Sequence, residues 1–211
     1  AFNYQSFVSL GYNKDLVSES EVPKDLDDLL DPKWRGKMAF PATSTMADWI
    51  GATLLDKGEA YLRRLGDQKI RRYEISARAL ANLIVSGEIA LSPAILRAHM
   101  IDSEQHGAHV GWRALDGVYS NVSGLALPVT APHPNAAMLF IDFIFSRETQ
   151  LVYQKMGYSS ARTDLQNAAA PSKIYYLTEQ PSFLQDYEKW SALGQEVFGK
   201  SEPNPPQARG P

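Results

Sequence analysis

The sequence predicts an α/β fold whose sheet is largely parallel. Short runs rich in aliphatic and aromatic residues alternate with segments whose apolar residues recur every three or four positions, the patterns of strand and helix in turn. Proline, serine and threonine open several helical segments, and glycine closes them. Two strand–loop–helix units, at 37–46 and 88–97, leave their strands through small polar residues. Open α/β sheets hold ligands at that position, outside the carboxyl ends of strands and at the amino ends of helices.

Residues 1–12 read as an extended segment, with Phe2, Tyr4, Phe7, Val8 and Leu10 apolar among polar neighbours. A chain that opens inside a strand reads as cut from a longer one. Pro23 opens a short helix through Leu30, with Asp25, Asp27 and Asp28 favouring its amino end, and Pro32 ends it. A strand follows at Lys37–Phe40. One of Thr43, Ser44 or Thr45 then caps a helix whose apolar face is Met46, Trp49, Ile50 and Leu54. A second helix, about Gly58 to Leu65, stops near Gly66.

Ile70–Ile75 reads as a strand, and Ser76 as the cap of a helix over Ala77–Val85 that ends at Gly87. Glu88–Leu91 is the next strand, with Ser92-Pro93 starting another helix. His109–Leu115 and Val122–Val129 read as strands, with Asp116-Gly117 turning between them. Pro134 opens a helix over Asn135–Phe145 that is apolar on nearly every side, so deep burial is expected. Glu148–Met156 forms a second helix, stopped by Gly157. Residues 163–180 show no clear period. A final amphipathic helix over Ser182–Phe198 presents Phe183, Leu184, Tyr187, Trp190, Leu193 and Val197. The proline-rich tail 201–211 is expected to be disordered.

The composition excludes several classes. A net charge of −3 gives no bulk electrostatic case for nucleic acid or an anionic membrane. The absence of cysteine removes disulfides, thiol nucleophiles and cysteine–metal sites. Ala1–Tyr4 shows neither a charged n-region nor an apolar h-region of a signal peptide. The uncharged run Gly117–Ile141 carries three prolines and many polar residues, so it is not a membrane span.

Candidate chemistry centres on hydroxyls. Thr43, Ser44 and Thr45 stand at a helix start, where side-chain oxygens and free backbone N–H groups can hold an anion; a plain cap needs one of them. Ser92, before a proline-led helix, invites the same two readings. In Asp116–Asn121, Tyr119 can wall a pocket and Ser120 or Asn121 can bind a ligand, or the stretch is a polar turn entering a strand. The histidines at 99, 106, 109 and 133 do not have the spacing of a zinc site, and no metal or cofactor is expected. Arg63, Arg64, Lys69, Arg71 and Arg72 read as the solvated end of a helix and its next strand, with Arg72 the exception if it points inward. GxSxG, GxxxxGK[ST] and GxGxxG are all absent, so an enzyme is not expected.

The stretches Leu10–Val17 and Val22–Lys37 resemble the middle of a bacterial extracellular solute-binding protein of family 1, in the branch of ferric-iron, phosphonate and thiamine binders that serve ABC importers. The run Ala131–Gln150 is similar to that family's buried helix pair, and Gly157–Arg162 to the loop after it. The resemblance covers about 7–165. It implies a type II periplasmic-binding-protein fold, with two α/β lobes joined by crossing strands and the ligand between them. It further implies that the chain lacks most of the first lobe, which a preceding segment would build. On this pattern residues 1–12 are a crossing strand, 13–118 the second lobe and 119–165 the returning segment of the first lobe. Residues 166–200 are a helical segment packing back on the second lobe, and 201–211 a disordered tail.

The resemblance marks Thr43, Ser44, Thr45, Ser92, Tyr119, Ser120 and Asn121 as ligand contacts, with Ser6 near the first crossing as a further candidate. It implies a periplasmic or extracellular receptor, membrane-associated through an ABC permease, that binds a small polar or anionic solute by hinge closure. Ferric binders carry an adjacent tyrosine pair where this chain has Ser92–His99, and Tyr175-Tyr176 comes far later, so iron is disfavoured. Self-association through an exposed first-lobe remnant, with Phe140, Phe143 and Phe145 on the surface, is a further expectation. The alternatives are a sensor of the same fold signalling to a membrane partner, and a serine hydrolase using Ser44 or Ser92.

Overall fold

A computed structural model describes residues 1–165, 171 and 173–203. One strand organises it. β1 (Phe2–Asn13) changes partners along its length. Its first half, Phe2–Val8, pairs with β6 (Val118–Gly124), and Tyr4 and Gln5 also pair with β7 (Ser159–Ser160). Its second half pairs with β4 (Leu91–Leu96) through Val8–Tyr12 and with β5 (Val110–Arg113) through Leu10–Asn13. Val8 lies between Leu96 and Tyr119, and Tyr4 between Ser160 and Ser123, so β4 and β7 share one edge of β1 while β5 and β6 share the other.

All four of these pairings are antiparallel, which corrects the expectation of a largely parallel sheet. The strand–helix alternation does produce parallel pairs. β2 (Ala39–Pro41) lies parallel to β3 (Arg71–Tyr73), Met38 bridges in parallel to Leu91, and β6 lies parallel to β8 (Ile174–Tyr175). Each parallel neighbour in the 38–96 region is reached through a helix, as a crossover requires.

The helices are α1 (Ser44–Gly66), α2 (Ala77–Val85), α3 (Arg97–Gln105), α4 (Pro134–Ile144), α5 (Arg147–Lys155) and α6 (Phe183–Phe198). Ser76 caps α2 by accepting the Ala79 N–H at 3.1 Å, and Gly87, at φ 78°, follows its end as expected. The two helices read at 43–54 and 58–65 form one element broken at Gly58, whose φ of 75° is left-handed. The helix expected over Pro23–Leu30 shrinks to a 3-10 turn at Asp27–Leu30. Pro32 opens a second such turn, Pro32–Trp34, rather than ending a helix. Asp25 and Asp28 accept local backbone N–H groups there, an alternative that competes with a regular helix.

Two strand boundaries also move. β4 runs to Leu96, and Pro93 does not start a helix. Ser9 opposes Ile95 and Gly11 opposes Ser92, so Pro93 and Ala94 share the place opposite Leu10. A proline without an N–H is accommodated at such a bulge. β6 begins at Val118 and ends at Gly124, earlier than the apolar run 122–129 suggests, and Val129 is fully exposed.

The main core lies between one face of the sheet, with Val8, Leu10, Tyr12 and Leu91, and helices α1 and α6. A second cluster, with Ile95, Met100, Val110 and the apolar face of α2, fills the other side. Arg72 does point inward, at 5% exposure, and donates to the Gly199 carbonyl just past α6. Part of the expected disordered tail is ordered. Glu202 donates to the Arg72 carbonyl and accepts from the Glu74 N–H at 3.0 Å, extending the β3 edge. Residues 204–211, like 166–170 and 172, lie outside the described residues.

α4 departs from the deep burial expected of its all-round apolar pattern and shows Phe140 and Phe143 on the surface, as was also expected. Met138, Leu139, Phe140 and Phe143 are 50–72% exposed, so the helix is not deeply buried. Ile144 is buried, and Phe145 is half-buried. α5 is tied down by Gln150, which is wholly buried. Its amide donates to the carbonyls of Asn3 and Ile144 and accepts from Ser160 Oγ and the Ala161 N–H.

Candidate functional site

The register gathers several strand ends on one edge of the sheet. β2 and β4 run parallel, so both present their carboxyl ends there. β4 ends at Leu96 opposite Val8, and β5 ends at Arg113 opposite Leu10. α1 starts from the end of β2, and α3 from the end of β4. The stretch Ser6–Val8, where β1 passes from one set of partners to the other, lies at the same edge.

Thr43 is the N-cap of α1, with extended φ −129° and ψ −177°, yet its side chain makes no capping bond. Its Oγ1 is buried and has no hydrogen-bond partner among the described residues. That is an unusual state for a threonine at this position, because a plain cap would use the hydroxyl on the second or third N–H of the helix. Ser44 is exposed and Thr45 is 7% exposed. The first-turn N–H groups of a helix have no intrahelical acceptor, so this start offers donors alongside the hydroxyls.

The remaining expected contacts divide between the two faces of β1. Ser6 opposes Asn121 on the face that carries Val8 and Tyr119, under α1. Ser6 Oγ is also buried and unpartnered. Tyr119, 5% exposed, is part of the core rather than an open wall, and its hydroxyl donates to Asp48 Oδ2 at 2.9 Å. Ser120 faces the other way and donates to Gln5 Oε1 at 3.3 Å. Ser92 also lies on that opposite face. It is wholly buried within β4, with Oγ accepting the Ala94 N–H at 3.3 Å. It does not stand at a strand exit, because the bulge carries the strand four residues further. Neither Ser44 nor Ser92 has a histidine partner among the described hydrogen bonds, so the hydrolase reading gains no support.

Two features escaped the sequence reading. Asp48, one turn into α1, is 6% exposed; burial raises its carboxyl to about 6, and the Tyr119 hydrogen bond offsets only part of that. Burial and the facing Asp48 push the Tyr119 phenol up in turn. The second is Arg97, which occupies the true exit of β4. Reading Pro93 as a bulge instead of a helix start would have exposed it.

Elements that start at one edge of a sheet, with a second set of strands beyond the shared β1, have the arrangement of the type II periplasmic-binding-protein fold. Solved structures agree. The substrate-binding protein of an ABC transporter from Agrobacterium tumefaciens matches with a TM-score of 0.72 at 15% identity, covering 92% of this chain and 65% of that one. A periplasmic thiamin-binding protein matches with a TM-score of 0.70 at 15% identity, covering 94% and 66%. In sequence, Iron uptake protein A1 of Synechocystis sp. (strain ATCC 27184 / PCC 6803 / Kazusa) is 24% identical over 164 residues, which span 70% of this chain and 45% of that protein. The chain thus spans less than half the length of this curated relative and about two thirds of the structural ones. Residues 1–175 match the family of bacterial extracellular solute-binding proteins, and the chain belongs to that family.

Proposed function

We propose that this chain is the binding part of a non-enzymatic solute receptor for an ABC importer, taking a small polar or anionic solute at the sheet edge where α1 begins. Family membership supports the class. The observation that carries the site is the buried, unpartnered Thr43 hydroxyl at an N-cap. On this reading residues 13–118 and the helical segment to 200 form one wall of a cleft, and 119–165 belong to the other lobe. Closure of the two on the solute would present the complex to a membrane permease in a periplasmic or extracellular setting. Among the described residues no helix is long and apolar enough to cross a membrane.

Ferric iron is a poorer fit. The Tyr175 hydroxyl, in β8, donates to Asp56 Oδ1 at 2.6 Å, and the exit of β4 offers an arginine instead of phenolates. Calorimetry against a panel of anions and neutral metabolites is expected to find a binder. Thr43→Val should weaken it about tenfold or more, as for a lost hydrogen bond to a charged group. Tight ferric binding with no response to any panel member would overturn the reading.

The exposed face of α4 supports association with a second copy of the chain. Sedimentation velocity is expected to show a concentration-dependent dimer that Leu139→Glu with Phe143→Glu abolishes. A monomer at all concentrations would refute it.

A further inference from the structure

We propose that the groove between α3 and the end of β5 is an oxyanion site in which Arg97 pairs with the charged group of the solute. This deepens the receptor reading and rests on it. The groove, about 380 Å³, is lined by Arg97, Met100, Glu104, Trp112 and Arg113 among others, a size suited to a small metabolite. It opens where β4 and β5 both end, on the edge that also carries Thr43.

The charges in the groove are not equivalent. Glu104 is paired with Lys14 Nζ at 2.5 Å. Arg113 is held by Glu19 and by the Val22 carbonyl. Arg97 has neither a hydrogen bond nor an ion pair among the described residues. Its guanidinium lies over the Trp112 ring, 5.7 Å from the centroid, and Trp112 is fixed by its own bond to the Ile95 carbonyl at 3.2 Å. The two pairs cancel locally, and the unbalanced charge of the groove is that of Arg97.

Three features make this placement unfavourable without a ligand. Arg97 is partly buried, and that burial lowers its affinity for its proton. It is the first residue of α3, where the helix macrodipole repels a cation. Its five N–H donors have no acceptor among the described residues of the protein. A carboxylate, phosphate or sulfate group against the guanidinium relieves all three, and a planar guanidinium takes such groups in bidentate fashion. The stacked indole limits the orientations of the fork before the ligand arrives, so less freedom is lost on binding.

Calorimetry of the purified protein with inorganic phosphate, sulfate and acetate tests the assignment and separates tetrahedral from planar oxyanions. At least one is expected to bind and to shift the fluorescence of Trp112, a signal that Trp112→Phe removes. Arg97→Gln should weaken that anion tenfold or more and abolish its stabilising effect on Tm. Arg97→Lys should retain part of the affinity. The anion-free Tm of Arg97→Gln should equal or exceed that of the parent, because an unpaired cation has been removed. An anion that binds Arg97→Gln as well as the parent, but is weakened by Thr43→Val, would overturn this inference and leave the receptor reading standing. Failure of all three anions to bind the parent would also overturn it, while the wider panel decides the receptor reading separately.

Discussion

Trp190→Ala is expected to destabilise the protein by about 3–5 kcal/mol, the range for deleting a large buried aromatic side chain. Trp190 is 8% exposed and lies in the seam between α6 and α1. Its ring packs over Gly51, where an added Cβ would come within 2.7 Å of the indole. The two helices also approach closely at Gly194, whose Cβ would meet Ile50 and Met46 at 2.7 Å. Aromatic contacts extend the seam. Phe183 is 6.0 Å from the Trp190 ring, and Phe198 is 5.1 Å from Phe40, which in turn packs on Trp49. Denaturant titration of the parent and variant measures the loss. Gly51→Ala should also destabilise the parent, but much less in the Trp190→Ala background, because the indole it would strike is gone. A double-mutant cycle isolates that coupling. A loss below about 1 kcal/mol for Trp190→Ala would show that α6 does not dock on α1 in solution.

Stability between pH 4 and 6 is expected to carry two contributions of opposite sign, from Asp48 and His99. Asp48 has its carboxyl raised to about 6 by burial. In this window the native state holds a proton that the unfolded state has released, so the Asp48 contribution is present below pH 4 and is lost as pH rises through 6. At 1.36 kcal/mol per pKa unit the full effect is on the order of 3 kcal/mol. His99 runs the other way. Burial first, and the Arg78 charge second, lower its imidazole to about 4. The unfolded state then binds the extra proton, and stability is gained as pH rises from 4 toward 6.5. Its Nδ1 is buried without a partner, in keeping with a neutral ring. Relative to the parent, the stability of Asp48→Asn should therefore climb more steeply with pH, and that of His99→Gln less steeply. Denaturation midpoints across the window check both, and parallel profiles for all three proteins would refute the pairing.

How far the sequence spoke depends on whether a signal is local. Ser76, the apolar face of 77–85 and Gly87 sit within one short window, and α2 appears as read. β4 was misread because Pro93 has two meanings, a helix start or a strand bulge. Only the opposing strand, more than eighty residues earlier in Leu10, distinguishes them. That single ambiguity moved the strand exit to Ser92 and hid Arg97. The Tyr119–Asp48 pair joins residues 71 apart and leaves no periodic trace. For α4 the all-round apolar pattern suggested deep burial, but composition does not say whether the partner of an apolar face lies within these residues. The hydroxyls at 43–45 were legible as a helix start; that Thr43 does not cap the helix emerges only from its rotamer and burial.

The position of β1 also bears on how the chain reaches its fold. The nearest of its strand partners begins at Leu91 and the farthest ends at Ser160. Each pairing closes a long loop, and loop closure must precede any gain from the contacts. Without β4 through β7 the edges that they cover on β1 lack these partners, and an unpaired strand edge is a template for another chain. The residues that bind the two halves of the sheet together thus gain their partners only through long loop closures, and folding should be limited by when β1 is captured from both sides.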